Sequence, residues 1–202
     1  MTLLDLTLSG IYTMLFGAVF GGIELIKRKT NVSSEIMRRV AHIASGVLLL
    51  LDYYTLSPMV FLVLITGGGV LFYVLSQKGV FTSVNNVARR SVGQYVLTFG
   101  YLAAYCVAAF DATVFVPSVL IITFADSAAG LYGTLMKAPN RTWIGSIIFF
   151  AVAFGILLST TAIGIPAALL IASVLTLVER FSPLGFDNIS VPLTAALLLL
   201  AF

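Results

Sequence analysis

The sequence predicts an all-α fold: a polytopic membrane helix bundle of about eight transmembrane helices, with both termini outside. Three observations support this. The 202 residues are 60% hydrophobic and only 9% charged, whereas about 25% of the residues of a soluble domain are charged. Apolar runs of membrane-spanning length recur along the whole chain. The basic residues fall in alternate connections between these runs.

The apolar runs define the predicted spans, because a helix needs about 20 residues to cross the hydrocarbon core. These runs cover residues 3–26, 36–52, 57–76, 91–110, 113–136, 143–162, 164–181 and 189–202. The connections between them are brief, so we expect one integral membrane domain over residues 1–202. Small residues close together, such as Gly17 and Gly21, let membrane helices approach one another.

The basic residues predict the orientation. All eleven Lys and Arg residues lie in or beside the odd-numbered connections. Because cytoplasmic loops are enriched in Lys and Arg, these connections are expected to be cytoplasmic and the termini outside. Topology therefore explains the net charge of +3, and we expect no nucleic-acid partner. In the third connection, Arg89 and Arg90 could bind phosphates or anchor a helix at lipid headgroups.

Asp126 is the most informative residue, since it lies deep inside an apolar run. An acid in the membrane costs roughly 2.5 to 3.5 kcal/mol and is by default a functional-site hypothesis. Ala129, Gly130 and Gly133 follow it on one helical face, so only small residues are near the carboxylate. The alternative is a structural ion pair with Arg or Lys. We expect a cytoplasmic water-filled cavity here, with the helix bending or ending near Gly130 to Gly133.

Other acids and bases lie at the predicted cytoplasmic ends of the spans. Glu179, Asp187 and Asn188 offer oxygen ligands near the end of the chain. The second span begins with Arg38, Arg39 and His42, and the fifth connection holds Lys137 and Arg141. His42 is either a packing residue or part of a phosphate site. Asp187 is either a site residue or an ordinary helix N-cap.

These residue types favour Mg²⁺ over zinc. The chain has a single cysteine and a single histidine, and Mg²⁺ prefers carboxylate oxygens together with substrate phosphates. Phosphoryl transfer needs such a metal together with cations on the phosphate oxygens. Neither a Walker A motif nor a kinase-type glycine loop is present. The residues alone thus predict a membrane enzyme that handles metal and phosphate.

Four sequence elements resemble the CTP-dependent polyprenol kinases, which include the dolichol kinases and phytol kinases. In chain order they are RRVAHIASG, ADSAAGLYG, the RTWIGS element that begins at Arg141, and VERFSPLGFDNISVPL. The resemblance covers about residues 35 to 195. It implies a multi-helix membrane enzyme that transfers the γ-phosphoryl group of CTP to an isoprenoid alcohol such as phytol, geranylgeraniol or a dolichol, with Mg²⁺.

The resemblance also implies roles for individual residues. Asp126, Glu179 and Asp187 would be catalytic, with Asp126 and Asp187 as metal ligands. The nucleotide and its phosphates would be bound by Arg38, Arg39, His42, Gly130, Gly133, Lys137, Arg141, Thr142, Gly145 and Asn188. One departure is Arg141, where a lysine is expected; another is the loop shortened at Pro139 and Asn140. The chain is much shorter than the eukaryotic dolichol kinases, which favours a phytol-kinase-like enzyme or an archaeal or bacterial prenol kinase. We expect it in a prokaryotic cell membrane.

Two other functions fit the same residues. A CDP-lipid synthase, similar to a phosphatidate cytidylyltransferase, would also use CTP, Mg²⁺ and clustered acids, but its substrate would attack the α-phosphorus. A transporter would use Asp126 to bind a cation or proton. The crowding of ionisable residues at one face argues against the transporter. The sequence does not define an oligomeric state.

Overall fold

The computed structural model describes residues 2–81, 92–138 and 140–202 and is all-α, with no strand in that part of the chain. The helices run Leu3–Lys29 (α1), Ser34–Thr55 (α2), Pro58–Gln77 (α3), Gly93–Ala108 (α4), Ala112–Leu135 (α5), Trp143–Thr160 (α6), Ile165–Phe181 (α7) and Asp187–Leu199 (α8). Each overlaps one predicted span. Arg89, Arg90 and Pro139 lie outside the described residues.

Among the described helices, α1, α3, α5 and α6 are long and apolar enough to cross a membrane by length and composition. This supports a membrane protein. The count of eight spans, the outside termini and the cytoplasmic basic loops stay predictions.

Polar side chains mark where several helices begin. Thr2 and Asp5 form a capping box at the start of α1, and Asp5 also accepts a hydrogen bond from the N–H of Ser57 just before α3 (3.1 Å). Asp111 caps α5 by accepting hydrogen bonds from the hydroxyl and N–H of Thr113, which hold the pKa of its carboxyl below the usual value. These caps satisfy N–H groups that lack partners at a helix start.

The chain divides into two compact units, Met1–Arg90 and Ser91–Phe202. In the first unit, α1, α2 and α3 pack on one another around Phe20, Ile23, Met37 and Ala41. Phe72 meets the ring of Phe20 edge-on at 5.6 Å between centroids. The prediction of one domain over residues 1–202 stays a prediction.

In the second unit, α8 packs along α4 and also contacts α5 and α7, while α6 packs against α5 and α7. Its interior is fully buried and apolar, with Phe115, Phe149, Ile171 and Val191 from four helices. Several polar residues are also buried in this unit, and Asp126, Ser127, Glu179, Asp187 and Asn188 among them belong to the candidate site described below.

The helix α5 is irregular one turn before Asp126. Pro117 has no N–H to donate to the preceding turn, and a π-turn follows at Ile121–Ala125. Thr123, within this π-turn, is fully buried, and its hydroxyl lies 3.3 Å from the hydroxyl of Tyr101 on α4. Such turns are frequent at functional sites.

The position of this irregular turn corrects one expectation. The helix was expected to bend or end near Gly130 to Gly133, but it continues through both glycines to Leu135. The irregular backbone precedes the acid instead of following it. The water-filled cavity stays a prediction.

Candidate active site

Three buried carboxylates meet in the second unit. One oxygen from each of Asp126, Glu179 and Asp187 lies within 4.8 Å of the others. Each residue is at most 5% exposed. They come from three helices, α5, α7 and α8, so the cluster depends on how those helices pack. The structure therefore brings together the three residues that the sequence analysis predicted to be catalytic.

Two of the three acids are joined by a tight turn. Glu179 is in the last turn of α7, and Asp187 is the first residue of α8. Gly185 between them has φ +91°, a conformation that glycine adopts without steric cost. The N-cap of α8 is Phe186 and not Asp187. The carboxylate of Asp187 therefore belongs to the acidic cluster, at a helix start where negative charge is favoured.

Arg141 bridges two of the acids. Its Nε donates to Glu179 Oε1 at 2.9 Å, and its Nη2 donates to Asp187 Oδ2. Its Nη1 donates to the carbonyl oxygens of Glu179, Arg180 and Ser182 at the end of α7, the last of these at 2.6 Å. Those carbonyls would otherwise lack partners within the helix.

Arg180, at the end of α7, contacts residues at the start of α6. Its Nη1 donates to the carbonyl oxygen of Thr142 (3.3 Å) and to Ser146 Oγ (3.0 Å). Its guanidinium lies over the Trp143 ring, 3.6 Å from the centroid, as in a cation–π interaction. Two arginines thus connect the start of α6 to the end of α7, and Arg141 also contacts the acids.

Asn188 is held by α4. Its Nδ2 donates to the carbonyl oxygen of Gly93 (2.8 Å), and the amide oxygen Oδ1 takes no part in this hydrogen bond. A Cβ at Gly100 would lie 1.8 Å from the carbonyl oxygen of Asn188, so only glycine permits this contact between α4 and α8. The sequence analysis missed Gly93 and Gly100. Their seven-residue spacing places them on one helical face, but only the structure shows what packs there.

Two residues next to the acids in the chain each have a buried polar side-chain atom without a hydrogen-bond partner among the described residues. The atoms are Asn188 Oδ1 and the hydroxyl oxygen of Ser127, which follows Asp126. Ser127 is only 2% exposed. Buried polar groups are normally satisfied, and the exceptions often mark a bound water, ion or ligand.

The other predicted residues of the second unit lie at the ends of α5 and α6. Thr142 caps α6 by accepting from the N–H of Gly145 (2.9 Å). Lys137 is exposed in a left-handed conformation after α5 (φ +51°). Gly130 is half-buried, and a Cβ at Gly133 would meet no atom within 4 Å.

The remaining predicted phosphate-binding residues are in the first unit. Arg38 and His42 are buried on α2, with Arg39 between them, and Arg38 pairs with Glu35 at 2.9 Å. Their share in the site of the second unit stays a prediction.

The carboxylate cluster suits a hard divalent cation. Two oxygens bound to one Mg²⁺ at 2.0–2.1 Å are at most about 4.2 Å apart. Of three oxygens on one octahedral Mg²⁺, adjacent pairs are only about 2.9 Å apart and at most one pair lies opposite, so carboxylates at the limit of 4.8 Å need to close by about 0.6 to 1.9 Å to bind such an ion. Arg141 offsets part of their negative charge, and a divalent cation is suited to offset more. Asp126, Glu179 and Asp187 would hold the metal, with Asn188 Oδ1 as a neutral oxygen nearby in sequence.

The chain is similar to a phytol kinase of Synechocystis sp., with 26% identity over 94% of this chain and 88% of that protein. No protein-family model and no solved structure matches it. The similarity extends over nearly the whole chain. It confirms the resemblance to the phytol and polyprenol kinases that the sequence elements indicate.

Proposed function

We propose that this protein is a membrane-embedded lipid kinase that transfers the γ-phosphoryl group of CTP to the hydroxyl of an isoprenoid alcohol, such as phytol, geranylgeraniol or a dolichol. The similarity to a phytol kinase supports a prenol-type kinase. The observation that carries the proposal is the meeting of three buried carboxylates in a protein with membrane-length helices. Burying three acids together is costly, and phosphoryl transfer gives them a use.

Asp126, Glu179 and Asp187 would hold Mg²⁺ through carboxylate oxygens that already lie within 4.8 Å of one another. When bound, Mg²⁺ supplies charge that stabilises the β- and γ-phosphate oxygens. The role of the chain is to fix the three carboxylates on separate helices before substrates bind. Pre-arranged charges of this kind need no reorganisation during the reaction.

In the transfer, the alcohol oxygen forms a bond to the γ-phosphorus while the bond from this phosphorus to the β,γ-bridging oxygen breaks. The products are the prenyl monophosphate and CDP. The alcohol proton must leave, and one of the three carboxylates of the cluster would accept it.

The phosphates would lie near Lys137 and the start of α6. Lys137 is exposed, and its side chain makes no hydrogen bond or ion pair within the described residues. Backbone N–H groups at a helix start, such as those after Thr142, attract anions. The proposed site therefore combines a carboxylate side for the metal with a cationic side for the triphosphate, at the predicted cytoplasmic face.

Radiolabelled CTP tests this function and separates it from a CDP-lipid synthase. The purified protein is given a prenol and Mg²⁺ with γ-labelled CTP and, in parallel, phosphatidate with α-labelled CTP. We expect labelled lipid only from the prenol with γ-label, with CDP as the second product. Lipid labelled only from α-labelled CTP would instead identify a cytidylyltransferase and refute the kinase. Comparison of CTP with ATP, GTP and UTP tests the nucleotide.

A further inference from the structure

Arg141 contacts two of the three clustered carboxylates, and these contacts define its role. We infer that Arg141 is a positioning residue for Glu179 and Asp187 and not a ligand of the nucleotide phosphates. The inference rests on the proposed function only in assigning a divalent metal to those carboxylates. It replaces the role that the family resemblance implies for Arg141.

The first argument is the use of its N–H groups. An arginine binds phosphate best through two parallel N–H groups on one edge of the guanidinium. In Arg141, the edge formed by Nε and Nη2 is occupied by the carboxylates of Glu179 and Asp187. The remaining nitrogen, Nη1, contacts three carbonyl oxygens at the end of α7. Neither edge is therefore available for a bidentate phosphate contact.

The second argument is what these contacts do to the acids. Glu179 and Asp187 lie on either side of the turn between α7 and α8, and their like charges repel one another. One planar guanidinium holds an oxygen of each, which fixes their separation and neutralises part of their charge. Groups that orient metal ligands in this way typically change metal affinity by about 10- to 100-fold when removed.

The third argument is that another cation is suited to the phosphates. Lys137 is exposed at the opposite end of the same connection, and lysine binds phosphate as a point charge without a required edge. The connection between α5 and α6 thus contains one arginine committed to the carboxylates and one lysine available to the triphosphate.

Three variants separate these roles: R141K, R180K and K137Q. Arg141→Lys keeps the charge but loses the planar set of donors. Arg180→Lys is the matched control, because Arg180 connects the same two helices through Thr142 and Ser146. Each purified variant is titrated with Mn²⁺ in the absence of nucleotide, with unbound Mn²⁺ followed by electron paramagnetic resonance. The KM for CTP and the melting temperature are measured in parallel.

We expect R141K to weaken Mn²⁺ binding by about 10- to 100-fold while its KM for CTP stays within about twofold of wild type. R180K should lower the melting temperature but leave Mn²⁺ binding within about twofold. K137Q should raise the KM for CTP by about fivefold, equivalent to about 1 kcal/mol, with Mn²⁺ binding unchanged. An R141K protein that binds Mn²⁺ normally, whether or not its KM for CTP rises, would overturn the inference.

A second measurement uses the wild-type protein, in case R141K does not fold. Phenylglyoxal modifies accessible guanidinium groups, and mass spectrometry gives the rate at each arginine. Arg28 is the reference: its side chain is 62% exposed, against 22% for Arg141. If modification requires the Arg141 contacts to open, Arg141 should react at least about tenfold more slowly than Arg28. This difference in rate is larger than the difference in their exposed fractions.

CTP with Mg²⁺ should leave that ratio unchanged, because the nucleotide does not touch Arg141. Rapid modification of Arg141 that CTP prevents would identify it as a phosphate ligand and refute the inference. Neither the Mn²⁺ titration nor the phenylglyoxal modification depends on phosphoryl transfer. A failure of the radiolabelled-CTP experiment can therefore be distinguished from a failure of this inference. If wild-type protein binds no Mn²⁺, the metal assignment fails, and the phenylglyoxal rates alone decide the role of Arg141.

Discussion

Asp126→Asn is the most informative single change in the proposed site. Asparagine keeps the size and shape of the side chain but removes one of three buried negative charges. If these charges hold a metal for phosphoryl transfer, the variant should lose activity without losing its fold. An isosteric change therefore separates the chemistry of Asp126 from its packing.

The structure gives magnitudes for both effects. At 4.8 Å and an effective dielectric constant of about 20, two unit charges repel by about 3.5 kcal/mol. Relaxation and nearby cations remove much of this energy. If the loss of this repulsion stabilises the folded variant by about 1 to 2 kcal/mol, the metal-free variant should melt about 2 to 8 °C above wild type. Its kcat should fall by at least about 100- to 1000-fold, the usual cost of one lost electrostatic contact in a transition state.

Thermal melting with and without Mg²⁺ provides the assay beside turnover. At a metal concentration 100 times its dissociation constant, binding stabilises the folded wild-type protein by about 2.7 kcal/mol. D126N should lose most of this increment. A D126N protein with normal turnover would place the active site elsewhere. One that is inactive but stabilised by Mg²⁺ to the same extent as wild type would show that Asp126 is not a metal ligand.

Three further predictions concern packing, topology and substrate entry. Gly100→Ala should destabilise the protein by about 1 to 3 kcal/mol and reduce turnover, because its Cβ would lie 1.8 Å from the Asn188 carbonyl oxygen. Gly155→Ala, whose Cβ meets no atom within 4 Å, should be neutral or stabilising in the same thermal melts. Cysteines introduced at Val80 and Ala112, with the native cysteine replaced, should react with an impermeant reagent from opposite sides of the membrane. Reaction of both positions from the same side of the membrane would refute the predicted topology. Affinity for prenols should rise with chain length by up to about 0.8 kcal/mol per buried CH₂, and equal rates with short water-soluble alcohols would argue against lateral entry of the tail.

The helices were predictable because membrane segments are long, apolar and separated by polar connections. Every predicted span overlaps an observed helix, and the acids Asp126, Glu179 and Asp187 could be selected because acids are rare in apolar runs. Their meeting point could not be predicted from spacing alone. Asp126 and Glu179 are 53 residues apart in the chain, and only the packing of α5, α7 and α8 brings them together.

Local backbone detail was the least predictable part. The π-turn at Ile121–Ala125 has no glycine to indicate it, whereas Gly130 and Gly133 suggested an irregularity that the helix does not show. Gly100 is one of 17 glycines, and its contact with Asn188 depends on a helix that starts 87 residues later. Sequence patterns within one helix carry no information about such contacts between helices.

The contacts of Arg141 also give a physical reason for a departure from the family resemblance, which leads one to expect lysine at this position. A lysine ammonium has three donors around one nitrogen, while a guanidinium spreads five N–H groups over three nitrogens in one plane. Only the second arrangement can reach two carboxylates and the carbonyl oxygens at the end of α7 at once. A chain with lysine here would need another group to hold Glu179 and Asp187 in place. On the role inferred for Arg141, arginine in place of the expected lysine arranges two acids of the cluster instead of binding a phosphate.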